Sequence, residues 1–224
     1  MGLLAKPAPG LHDAAMDDAA FDRALIAAAF QLAAERGWRS VSVAAAASAA
    51  GLPLVRARER FPGRAALLLR FGRLADQAAL AEVSSDGSAR DKLFDLLMRR
   101  IDALQVHRAG VLALLRSLPA DPPAALLLAL ATRRSMRWML EAAGITTRSL
   151  RGELRVRGLL AVWLWTIRAW RSDESEDLSA TMAALDTALR RAESAAEWLG
   201  WRPRPTEPAP DAAATDQPQP EAPA

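Results

Sequence analysis

Cysteine and tyrosine are absent from this 224-residue chain, and histidine occurs only twice. Without cysteine there is no disulfide, no thiol nucleophile and no thiolate metal ligand. His12 and His107 stand far apart, His12 in a leader and His107 near a helix end, where a surface or capping role is expected. No nucleophile–base set, metal-ligand helix or Gly-rich phosphate loop is present. The chain is therefore expected to be no enzyme, to hold no metal and to need no cofactor. Long apolar runs are missing too: the longest candidates, Ala124–Ala131 and Leu159–Trp165, fall short of the roughly 18 residues a membrane span needs. Met1–Ala15 carries one Lys, two Pro and no sustained apolar stretch, a poor signal peptide, and Lys6 stands where a myristoylation signal after Gly2 wants Ser or Thr. A cytoplasmic protein is expected, with Met16 an alternative start.

What the chain has in quantity is Ala, Leu and Arg, strong helix formers, within a 51% hydrophobic composition whose aromatic content rests on seven Trp and five Phe. An all-α fold follows. Seven prolines at 203, 205, 208, 210, 218, 220 and 223 mark 202–224 as a tail unable to build a core, and 1–16 reads as a disordered leader. Between them, helical periodicity and punctuation predict nine helices. Four fall at Asp17–Arg36, Ser42–Ala50, Pro53–Arg60 and Arg64–Val83, with stops at Gly37, Gly51 and Phe61-Pro62-Gly63. After a loop at 84–88 come Ala89–His107, Gly110–Leu118, Pro123–Ala143, Thr147–Arg171 and Ser175–Leu199. The loop divides an N-terminal unit, 17–83, from a helical domain, 89–200.

Ser42–Ala50 and Pro53–Arg60, joined at Gly51, form a helix-turn-helix pattern, whose second helix enters the major groove in DNA-binding proteins. From Gly37 to Leu74 there are seven Arg (39, 56, 58, 60, 64, 70 and 73) and one acid, Glu59. That is a local charge of +6 in a chain of +3, the electrostatic footprint of a protein that binds a phosphate backbone. Arg56 and Arg60 share one helix face, and Arg58 points elsewhere. Ser42, Arg56, Arg58, Arg60 and Arg64 are the candidate DNA contacts, Ser42 doubling as a helix cap. Trp38 and Phe61 read as core.

The string from Ala28 to Gly37 (AAFQLAAERG), Trp38, Ser42-Val43, Ala47, Ala50-Gly51-Leu52, and Phe61-Pro62-Gly63-Arg64 with Ala66-Leu67-Leu68 resembles the DNA-binding domain of TetR-family transcriptional regulators. The resemblance implies a TetR-like fold, a three-helix helix-turn-helix unit ahead of a larger helical bundle, double-stranded operator DNA as partner, and a homodimer. The chain departs from the family in the middle of the second helix, where Leu54-Val55-Arg56-Ala57-Arg58 replaces the usual Lys-Gly-Thr-Leu-Tyr.

In the C-terminal domain, apolar stripes run through Leu93–Leu104 and Leu126–Leu140. Leu97, Ile101, Leu104, Met136, Met139 and Trp163 are the candidate lining of a pocket for a small apolar ligand. Trp163 and Trp170 share a helix face while Trp165 is turned by about 200°, so that helix is expected to be packed on two sides. By the TetR resemblance the last two helices pair between subunits, with Trp165, Trp170, Leu185 and Leu189 at the dimer interface. A second stretch is similar to the ubiquinone-biosynthesis lipid-binding protein, itself of TetR-like fold. It comprises Arg157-Gly158-Leu159 through Trp170, Asp173-Glu174-Ser175-Glu176-Asp177-Leu178, and Thr181 to Asp186. That resemblance implies an alternative: an accessory protein that binds an isoprenoid lipid rather than DNA, with Trp198 and Trp201 resting on a membrane surface.

Overall fold

The computed structural model describes residues 16–83 and 86–200. The expectations for the leader to Ala15 with His12, for Ser84 and Ser85, and for Trp201 and the proline-rich tail lie outside the described residues.

Nine α-helices and two 3-10 turns make up the described residues, with no strand among them. α1 (Asp18–Arg36) starts where the Asp17 carboxylate accepts from the Ala20 amide, and ends at Gly37, whose φ of 80° suits a residue without Cβ. A 3-10 turn, Trp38–Ser40, leads to α2 (Val43–Ala49), capped by Ser42 Oγ, which accepts from the Ala45 amide at 3.1 Å. Gly51, at φ 64°, turns the chain into α3 (Leu54–Arg60), and α4 (Arg64–Leu80) follows the Phe61-Pro62-Gly63 break. α5 (Ala89–Gln105) opens on a capping box in which Ser88 and Asp91 bond reciprocally. α6 (Arg108–Ser117), a 3-10 turn at Leu118–Ala120, α7 (Pro122–Ala142), α8 (Leu150–Ser172) and α9 (Ser179–Trp198) complete the chain.

One hydrophobic core runs from Phe21 in α1 to Leu189 in α9. α1 packs on α2 and α6, α4 on α5 and α7, and α8 on α7 and α9. α6 approaches α1 so closely that a Cβ at Gly110 would lie 2.8 Å from the Phe30 carbonyl carbon and nearer still to its oxygen. Only glycine lets the two backbones meet there. Phe30 gathers Trp38, Phe71 and His107 around it, with ring centroids 5.5, 4.3 and 5.7 Å away. His107 occupies the N-cap position of α6, but its side chain makes no cap hydrogen bond. Its ring stacks on Phe30, and burial pushes its pKa below the ordinary histidine value. Trp38 and Phe61 are buried, as their pattern predicts.

The α8–α9 corner departs from the sequence expectation. Ser175 and Asp177 look like caps, yet α9 begins at Ser179. The buried Asp173 carboxylate is the cause. One of its oxygens accepts from the Ser175 amide and hydroxyl, and the other accepts from the Thr181 amide at 2.7 Å and hydroxyl at 2.6 Å. The chain must loop around it, and Leu178 takes a left-handed φ of 55° to do so. Hydrogen bonds from Ser175 and Thr181 hold the Asp173 pKa far below the usual carboxylate range, against the opposing effect of burial. A folded-state pKa below the unfolded one contributes stability that is fully present above about pH 4 and lost as pH falls toward the folded value. Asp173→Asn puts an amide donor where one of these oxygens accepts, and should cost about 1–3 kcal/mol at neutral pH. Urea unfolding at pH 7 and pH 3 checks this: the variant's deficit should shrink in acid.

Candidate nucleic-acid interface

α3 is the second helix of the helix-turn-helix, and its two faces differ in kind. At about 100° per residue, Arg56, Ala57 and Arg60 fall on one side, and Leu54, Val55, Arg58 and Glu59 on the other. The first side is turned inward. Ala57 is fully buried, and the two arginines reach across to α1. Arg56 donates to the Asp18 carboxylate at 2.7 Å and to the Met16 carbonyl at 2.9 Å, and its guanidinium lies 4.5 Å from the Phe21 ring centroid. Arg60 pairs with Asp18 at 2.5 Å and with Asp22 at 2.8 Å. Arg70, from α4, takes the second Asp22 oxygen at 2.7 Å.

Asp22 is the centre of this clamp, with 2% of its surface exposed. Burial works to raise its pKa, but hydrogen bonds and charge from Arg60 and Arg70 outweigh it, and the net shift is downward. Asp22 therefore stays ionised, pinning α1, α3 and α4 at one point. Arg64 is engaged as well: it pairs with Asp121, the cap of α7, at 2.7 Å and touches the Arg39 carbonyl at 3.5 Å. Of the five candidate DNA contacts, then, Arg56, Arg60 and Arg64 are held by carboxylates within the chain. Asp18, Asp22 and Asp121, which lie outside that stretch, pair with four of its seven arginines (56, 60, 64 and 70) and halve its charge from +6 to +3.

Ser42 and Arg58 remain on the exposed surface. Ser42 caps α2 by accepting, which leaves its hydroxyl proton available to donate. Arg58 donates to the Pro62 carbonyl at 3.2 Å and meets no carboxylate among the described residues. Sequence reasoning passed over Arg39, exposed just ahead of Ser42 and likewise without a carboxylate among the described residues. It also passed over the outward pair Leu54 and Val55, which are 54% and 72% exposed. A signal for the clamp was present: Asp18 and Asp22 repeat the four-residue spacing of Arg56 and Arg60.

In the C-terminal half, none of the six residues expected to line a pocket lines the apolar cavity between α5, α7, α8 and α9. Leu97, Ile101, Leu104, Met136, Met139 and Trp163 are buried in solid core. The apolar cavity lies beside them, between α5, α7, α8 and α9, with a volume of about 420 Å³. Leu93, Leu140, Ile145, Leu154, Leu159 and Val162 supply much of its wall, and Arg90, Arg155, Glu193 and Glu197 its charged groups. The residues expected at a dimer interface separate in the same way. Trp165 is exposed, but Leu185, Leu189 and Trp170 are buried within the chain's own core, and the Trp170 indole donates to Gln105 at 2.8 Å. A helix with Trp on two sides is what the spacing predicts, and Trp163 and Trp170 take the inner side.

No group of three or more His, Cys, Asp or Glu that could hold a metal ion occurs among the described residues, and no single helix among them is long and apolar enough to cross a membrane.

No family model and no curated protein sequence matches the chain. Its architecture is shared by solved structures. A TetR transcriptional regulator from Nitrosomonas europaea superposes with a TM-score of 0.63 at 26% identity, over 78% of this chain and 98% of that one. A TetR-family transcriptional regulator from Streptomyces coelicolor gives 0.57 at 23% identity, over 83% and 87%. A TetR transcriptional regulator from Rhodococcus gives 0.53 at 21% identity, over 79% and 97%. The chain is thus an all-α protein with the fold of the TetR regulators.

Proposed function

We propose that the chain is a DNA-binding transcriptional regulator whose N-terminal unit, 17–83, docks α3 in the major groove of operator DNA. The observation that carries this reading is the fixed presentation of α3. The ion pairs of Arg56 and Arg60 with Asp18 and Asp22 lock one face against α1, and the other face stands free between exposed Arg39, Ser42 and Arg58. A rigid helix flanked by unpaired cations is what groove recognition needs. Arg39, Ser42 and Arg58 are the phosphate contacts, while Arg56, Arg60 and Arg64 position the helix. An Arg39→Ala/Arg58→Ala double variant should bind its own upstream DNA at least tenfold more weakly with unchanged helicity. Two lost phosphate contacts per subunit, four in a dimer, should also flatten the salt dependence of log K by about 3.6. Equal affinity and slope would remove these two contacts.

Within the same reading, 89–200 senses a ligand and joins two copies. The cavity falls in the size range of small-molecule sites, roughly 300–1,000 Å³, and its walls suit an apolar ligand. Leu164 and Trp165 stand exposed on the outer side of α8, the surface on which a second subunit would pack in a C2 dimer. Sedimentation of the full chain should then give a dimer; a monomer at micromolar concentration would contradict it. In the acidic turn at 173–178, the sharpest part of the resemblance to the lipid-binding protein, Asp173 and Asp177 serve the turn itself, Asp173 accepting from Ser175 and Thr181 and Asp177 from the Ser179 amide.

A further inference from the structure

The outward face of α3 presents four side chains, Leu54, Val55, Arg58 and Glu59, and the first two have no hydrogen-bonding group. Their exposure is not a consequence of crowding elsewhere, because the opposite face is closed by Ala57 and by the ion pairs of Arg56 and Arg60. A rotation of α3 that buried Val55 would expose Ala57 and break the Asp22 clamp. Two aliphatic side chains are therefore held in water next to cations. In the major groove each base pair shows hydrogen-bond donors and acceptors, which Leu and Val cannot read, and thymine alone adds an apolar group, its C5-methyl.

We infer that Leu54 and Val55 are specificity-determining residues that select thymine methyl groups in each operator half-site. This rests on the DNA-binding reading above and deepens it. Leu54 and Val55 lie about 100° apart on the helix, so they meet neighbouring base steps rather than one base. Arg58, between them on the same face, supplies the cation that brings this apolar edge to a polyanion.

The test uses the full chain and the sequence it selects from a random DNA pool. At each thymine of that site, deoxyuridine is substituted, which removes the methyl and leaves every hydrogen-bonding group in place. One or two thymines per half-site should each weaken binding about fourfold on this change, the worth of one buried methyl-sized group. Val55→Ala and Leu54→Ala should weaken binding to the thymine site and abolish the loss on going to deoxyuridine at their own position. Selective binding indifferent to every methyl would overturn the inference while leaving the DNA-binding reading intact. Methyl dependence that survives both alanine variants would overturn it as well. Failure to select any sequence from the pool would instead remove the DNA-binding reading on which it stands.

Discussion

Asp76→Ala should destabilise the protein by about 3–5 kcal/mol, and the added substitution Arg100→Met should recover most of that loss. Arg100 is 5% exposed and is held by two groups of different kind. Its guanidinium donates to Asp76 of α4 at 2.6 Å and lies over the Trp163 ring of α8 at 4.8 Å, while the other Asp76 oxygen accepts from Ser135 of α7 at 2.6 Å. Burial raises the Asp76 pKa, and Arg100 and Ser135 oppose it. The Arg100 Nε has no partner among the described residues. Removing the carboxylate leaves a buried cation with nothing to balance it, which explains the size of the loss. Replacing the cation as well leaves an apolar side chain against Trp163, where the desolvation cost disappears. Urea unfolding of the single and double variants measures this. A double variant no more stable than Asp76→Ala would show that the pair does not act as a unit.

Asp22→Ala should cost roughly 2–3 kcal/mol and abolish selective DNA binding. The cost falls below that of a fully buried pair because Arg60 and Arg70 are each about a quarter exposed and recover some water. The functional loss should exceed the stability loss. Without Asp22, α3 keeps its pairing with Asp18 but loses the contact shared with α4, so the outward face is no longer fixed in one orientation. Affinity measured well below the unfolding midpoint, with helicity checked by circular dichroism, separates the two effects. Full selective binding by a folded Asp22→Ala protein would show that the clamp serves stability alone.

These two centres also show what the sequence made legible. Helix ends such as Ser42, Gly37 and Gly51 were readable because a cap or a left-handed turn is set by a few adjacent residues. The shared face of Arg56 and Arg60 was readable from their spacing, but its direction was not. Which side of α3 turns inward depends on Asp18 and Asp22, 38 residues away, and arginines that look like phosphate ligands proved to be partners of α1. The onset of α9 was misplaced because Ser175 donates to Asp173, and Ser175 and Asp177 both accept from the Ser179 amide, so they close the turn ahead of the helix rather than belong to it. The cavity escaped for a packing reason: large apolar residues such as Leu97 and Met136 fill space. A void forms instead where Gly158 and the alanines of α9 leave room.

The central claim is that the outward face of α3 reads operator DNA. Binding of the full chain to its own upstream DNA, with random DNA as control and salt varied from roughly 50 to 200 mM, tests it most directly. The account predicts tight, selective binding to the upstream DNA and a log K that falls linearly with log salt. Weak binding, equal for both DNAs, would contradict it.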